Sequence, residues 1–133
     1  WSSSWGQTTG SNDIGHANAE VQAVINQHAH GIGWSDEDMD RFVDTMNALL
    51  DASPDEDFAH LPEFLPAVYD ASENTRPFIT YGFAMLGRFD AELQARMEGF
   101  STSQFLSSYY YNHWIAHMAV NQALLDGYVV YEE

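Results

Sequence analysis

His113 and His117 are the two residues whose type and spacing come closest to a chemical site. They stand four apart in His113-Trp114-Ile115-Ala116-His117. On a helix that interval brings both imidazoles to one face, as a two-histidine metal site requires. The glutamate of the HExxH pattern is missing, which excludes the zinc-protease reading. A metal or haem role would need a further ligand, with His28, His30, His60 or a carboxylate as candidates. Neutral imidazoles hydrogen-bonded within a core are the commoner fate of such a pair.

Other groups invite weaker readings. His28 and His30 point about 200° apart on a helix, so they cannot chelate together. Near a helix C-terminus they suit the negative end of the dipole. Tyr109-Tyr110-Tyr111 could stack a ligand, host a radical or face a partner. The acidic runs Asp36–Asp40 and Asp55–Asp57 lack the glycine of a calcium loop and read as solvated helix starts. No GxSxG, Walker A or GxGxxG motif occurs. A paired-carboxylate hydrolase has no positive support either, and the reading leans away from an enzyme.

The helix positioning His113 and His117 is the distinctive element. A capping box at Ser101–Gln104 predicts its start, Gly127 its end, and the span is about 102–126. No charged residue lies between Ser101 and Asp126. On a wheel of about 100° per residue, Leu106, Tyr109, His113, His117, Val120 and Leu124 share one apolar stripe. Tyr111, Ile115, Met118 and Leu125 lie on the other side. A helix apolar on both sides is buried all round. It runs either through the domain centre or between the domain and a partner subunit.

The remaining elements follow from periodicity and caps. Ile14, Ala17, Val21, Val24, Ile25 and His28 mark a helix over about 13–30, closed by Gly31. Ser35 and Asp38 open a second helix over about 36–52, with Met39, Phe42, Val43, Met46, Leu49 and Leu50 on its buried stripe. Ser53-Pro54-Asp55-Glu56 predicts a short helix over about 54–60, and Leu61, Phe64, Leu65, Val68 and Tyr69 another near 63–71. Pro77 opens a segment over about 77–88, in which Gly82 implies a closely packed neighbouring helix. Asp90 caps a helix over about 91–98, and the tail Tyr128–Glu133 reads as a short extended piece. The expected fold is all-α: a single-domain bundle of five to six helices over 13–133, with a long, mostly buried C-terminal helix. Residues 1–12 read as an irregular arm. Its Trp1 and Trp5 must pack on the domain or on a neighbour, because indoles gain nothing from water.

Composition sets the surroundings. The 133 residues include 20 Asp and Glu against 4 basic residues, a net charge of −16. All four basic residues are arginines, and lysine is absent. Such a surface repels phosphates, so direct nucleic-acid binding is excluded. The hydrophobic share of 45% and the aromatic share of 14% supply a core, unlike a disordered acidic chain. There is no cysteine, hence no disulfide and no thiolate site. No apolar run reaches the roughly 18 residues of a membrane span.

Complete loss of lysine favours a salt-adapted source, where carboxylates keep the surface hydrated and ions screen their repulsion within about 3 Å at 1 M. A chain opening at Trp1 suggests a processed, cut or incompletely covered N-terminus, compatible with export. The leading expectation is a non-catalytic helical subunit of a larger assembly. Its interface candidates are Trp1, Trp5, Tyr111, Trp114, Ile115, Met118 and Leu125. Two alternatives stand beside it. One is a metal or cofactor protein using His113 and His117, including a small accessory subunit of an exported oxidoreductase. The other is an acidic nucleic-acid mimic that occupies a basic protein surface.

Overall fold

The computed structural model describes residues 13–62, 79–102 and 108–128. Asp13 starts helix α1, Ile14–Ala29, by accepting a hydrogen bond from the His16 amide. Ile14, Ala17, Val21, Val24 and Ile25 are buried along one stripe, as periodicity predicts. The helix stops because Gly31 takes φ +68°, a left-handed value that glycine adopts at no steric cost. The Gly31 amide then bonds the His28 carbonyl and the Ile32 amide the Gln27 carbonyl, closing the end with a Schellman motif.

Helix α2, Asp36–Asp51, starts with the reciprocal Ser35–Asp38 capping box and carries Asp36, Glu37 and Asp38 in its first turn. All six predicted core residues, Met39 to Leu50, are buried.

The helix expected over 54–60 does not form. Glu56 adopts φ +56°, which ends any helical run there. The chain instead makes an isolated parallel bridge between Asp57 and Ser101. The Ser101 amide donates to the Glu56 carbonyl at 2.8 Å, and the Phe58 amide donates to the Ser101 carbonyl at 3.2 Å. Asp57 caps only the 3-10 turn Phe58–His60. The local helix signal yields to a tertiary pairing that drives Phe58 fully into the core. The helix expected near 63–71 lies outside the described residues.

The segment expected over 77–88 is shorter and broken. Helix α3, Gly82–Met85, passes directly into a 3-10 turn, Leu86–Arg88. Tyr81, at φ −117° and ψ −99°, is not helical and delays the start. Helix α4, Ala91–Gly99, is capped by Asp90 as predicted. Helix α5, Ser108–Leu125, ends in a second Schellman motif at Gly127, φ +86°. Part of the capping box expected at Ser101–Gln104 lies outside the described residues.

The described residues form an all-α domain with no strand. Helix α3 packs against α1 and α5, and α4 packs against α5 and the 86–88 turn. Phe58 joins the halves of the core, its ring 4.9 Å from that of Phe100 and 4.7 Å from that of Trp114. Among the described residues no helix is long and apolar enough to cross a membrane.

A candidate functional site along the last helix

One face of α5 is inserted into the domain. Trp114, Met118 and Asn121 are buried there. Trp114 and Met118, expected at an interface with a partner, therefore face the chain's own core. Leu125 is half-buried at the helix end. Of the other interface candidates, Tyr111 and Ile115 are exposed, at 43% and 48%. Trp1 and Trp5 lie outside the described residues.

The rest of α5 faces out. Tyr109 and Val120 are exposed on one flank, Tyr111 and Ile115 on the other. Asn112, Ala116 and Ala119 are exposed between them. The helix thus buries one stripe and presents a second, largely apolar and free of ionised side chains. The enclosure expected from its composition is partial.

Asn121 anchors the inner face. Its side-chain amide donates to the Ala84 carbonyl at 2.7 Å and to Gln94 Oε1 at 2.9 Å. Its oxygen accepts from Arg88 Nε at 3.3 Å. Gln94 Nε2 donates onward to Glu98 at 2.6 Å and to the Met118 carbonyl at 3.3 Å. These bonds satisfy polar groups that α5, α4 and the 84–88 segment would otherwise bury unpaired.

His113 and His117 share a face, as their spacing requires, but differ in surroundings. The His113 ring lies 4.5 Å from the Tyr109 ring and 5.1 Å from the Tyr81 ring. Tyr81 donates to the Tyr109 hydroxyl at 3.3 Å. That hydrogen bond, then burial, pushes the Tyr81 pKa up to about 12. Among the described residues no third histidine or carboxylate completes a metal-ligand group. The candidate third ligands have other partners: His28 Nε2 bonds Asp36 at 2.9 Å, and His60 Nδ1 bonds Asp55 at 2.9 Å. His28 therefore ties the last turn of α1 to the first turn of α2, beyond the capping role read from its position, and packs edge-on against Phe89 at 5.4 Å. His30 is the C-cap residue of α1.

His117 is half-buried. Burial, then the Arg88 charge and the nearby His113, hold its pKa below the ordinary 6.5. A base depressed in the folded state takes up its proton more readily on unfolding. The neutral ring's contribution is complete above about pH 6.5 and is lost as pH falls through the lower folded value. The thermal midpoint is expected to fall on acidification from about pH 8 to about pH 5, and His117→Gln to flatten that part of the profile. Equal slopes in the two proteins would refute the assignment.

Sequence reasoning overlooked Tyr81. It lines an open groove of about 590 Å³ together with Asp13, His16 and Glu20. Asp13 accepts from both the backbone and the ring of His16. Burial raises the Asp13 pKa, and the hydrogen bonds from His16 outweigh it, so the net shift is downward. The pair is an N-terminal cap reinforced by a side-chain hydrogen bond, and the irregular backbone that places Tyr81 left no periodic trace.

Comparison with protein families, curated proteins and solved structures finds no match to this chain.

Proposed function

We propose that this chain is a non-catalytic helical subunit of a larger assembly in a salt-adapted organism, and that the exposed face of α5 joins it to a second copy of itself. The observation that carries this reading is the outer face of α5. Tyr109, Tyr111, Ile115 and Val120 are exposed on a helix with no ionised side chain between Ser101 and Asp126. Solitary exposed apolar residues need no explanation, but a ridge of them does.

Charge argues for a second copy. Two chains of −16 repel each other at most contacts. Exposed carboxylates stand on α2, at Asp55 and Glu56, on α4 and at Asp126. The outer face of α5 carries none, so two copies meeting there oppose no charges. Ala116 and Ala119 between larger flanking residues allow close helix approach, ridge into groove. The placement of carboxylates on several elements favours a solvent role for the acidity over a nucleic-acid mimic.

Light scattering on the eluting peak in molar salt tests the reading. The wild-type chain is expected at twice its 15.0 kDa mass. Ile115→Asp, at an exposed position, is expected to leave the helical signal unchanged and to shift the mass to that of one chain. A wild-type chain that stays monomeric at high concentration refutes self-assembly. Association that survives Ile115→Asp moves the interface elsewhere.

A further inference from the structure

Arg88 differs from the other described arginines. Arg41 pairs with Glu37 at 2.7 Å and Arg96 with Asp51 at 2.5 Å. Arg88 has no carboxylate within ion-pair distance among the described residues, in a chain with 20 of them. Its position is fixed nonetheless. Nε donates to the Met85 carbonyl at 3.1 Å and to Asn121 Oδ1 at 3.3 Å. The two terminal Nη groups have no hydrogen-bond partner among the described residues. Burial disfavours the guanidinium charge enough to lower its pKa, so the site carries a desolvation cost that no anion among the described residues offsets.

His117 lies one α5 turn before Asn121, close enough for the Arg88 charge to act on it. It is a ring that can donate from one nitrogen as a neutral tautomer or from both when protonated. An anchored guanidinium beside a half-buried imidazole is the donor set that recognises a carboxylate: a planar fork and a neighbouring N–H.

We propose that Arg88 and His117 form a carboxylate-binding notch at the edge of α5. The carboxylate comes either from a free organic acid or from an aspartate or glutamate of the second copy that docks on α5. Only the second source rests on the proposed self-assembly.

Two arms separate the sources. In the first, acetate is titrated into dilute, monomeric 15N-labelled protein at constant ionic strength, and the His117 ring and Arg88 Nε–H resonances are followed. A free acid site predicts saturable shifts at both groups, with the acetate affinity of Arg88→Gln lower by about tenfold or more. The wild-type Arg88 Nε–H signal keeps this arm decisive if the variant folds poorly. In the second, the self-association of Arg88→Gln is compared with that of wild type in the same salt. A partner carboxylate predicts association about tenfold weaker or more, with rescue by Arg88→Lys. Linear, non-saturating shifts together with unchanged association overturn the notch. Saturable binding in a chain that never dimerises refutes only the self-assembly reading and leaves the notch with a free acid.

Discussion

Gly82→Ala is expected to be the most destabilising single methyl group that can be added to this chain. A Cβ at Gly82 would lie 2.1 Å from the Asn18 carbonyl oxygen and 2.4 Å from the Gln22 amide nitrogen. Both are backbone atoms of α1, so no side-chain rotation relieves the overlap. Either α1 or α3 must move. That shift also threatens the buried bond from the Phe83 amide to Asn18 Oδ1, now 3.0 Å. Overpacking a rigid core costs about 1–3 kcal/mol, and the backbone clash with loss of a buried bond puts this case at or above the upper end. Urea unfolding followed by circular dichroism measures it. Gly99→Ala is the matched control, because a Cβ there meets nothing within 4 Å. Its expected effect is within about 1 kcal/mol of wild type. Similar losses in both variants would contradict the α1–α3 contact.

The second large effect is expected at Asn121, a fully buried polar residue on α5. Asn121→Leu conserves approximate volume but removes two donors and an acceptor. Ala84 loses a 2.7 Å bond, Gln94 Oε1 a 2.9 Å bond, and Arg88 Nε keeps only the Met85 carbonyl. Each buried group left unpaired costs about 1–3 kcal/mol, and the losses share one network. A total of about 3 kcal/mol is expected, read from denaturant midpoints. A near-neutral result would mean that the inner face of α5 is held by Trp114 and Met118 alone. Gly87 belongs to the same knot, since a Cβ there would come within 2.1 Å of Gln94 Oε1.

The parts of the fold legible in the sequence are those with local causes. Caps and glycines mark the ends of α1, α2 and α4 and the end of α5, because Asp13, Ser35, Asp90, Gly31 and Gly127 act within a few residues of themselves. Gly82 announced a tight helix contact without naming α1 as the neighbour. The failures have distant causes. Ser53-Pro54-Asp55-Glu56 carries every mark of a helix start, yet the bridge from Asp57 to Ser101 claims that backbone. No local pattern reports a pairing across more than forty residues of sequence.

The site was legible to a similar depth. The absence of charge from Ser101 to Asp126 marked α5 as unusual, and His113 and His117 do share a face. Which apolar residues turn inward was not legible, since a helix apolar on both sides has no preferred face until it packs. Trp114 and Met118 went inward because Phe58 and Gln94 meet them there. The role of Arg88 was invisible for the same reason. Its neighbour Asn121 is 33 residues away in the chain.

The central claim is that two copies meet through the outer face of α5. The chain contains no cysteine, so a single introduced thiol reports on one position. Ala116→Cys places it at the middle of that face, and Asp44→Cys places it on the exposed side of α2. Both proteins are oxidised in molar salt and run on a non-reducing gel over time. Rapid, near-complete covalent dimer from Ala116→Cys, with only slow collisional dimer from Asp44→Cys, is the predicted result. Equal slow rates, or faster pairing through Asp44→Cys, would contradict it.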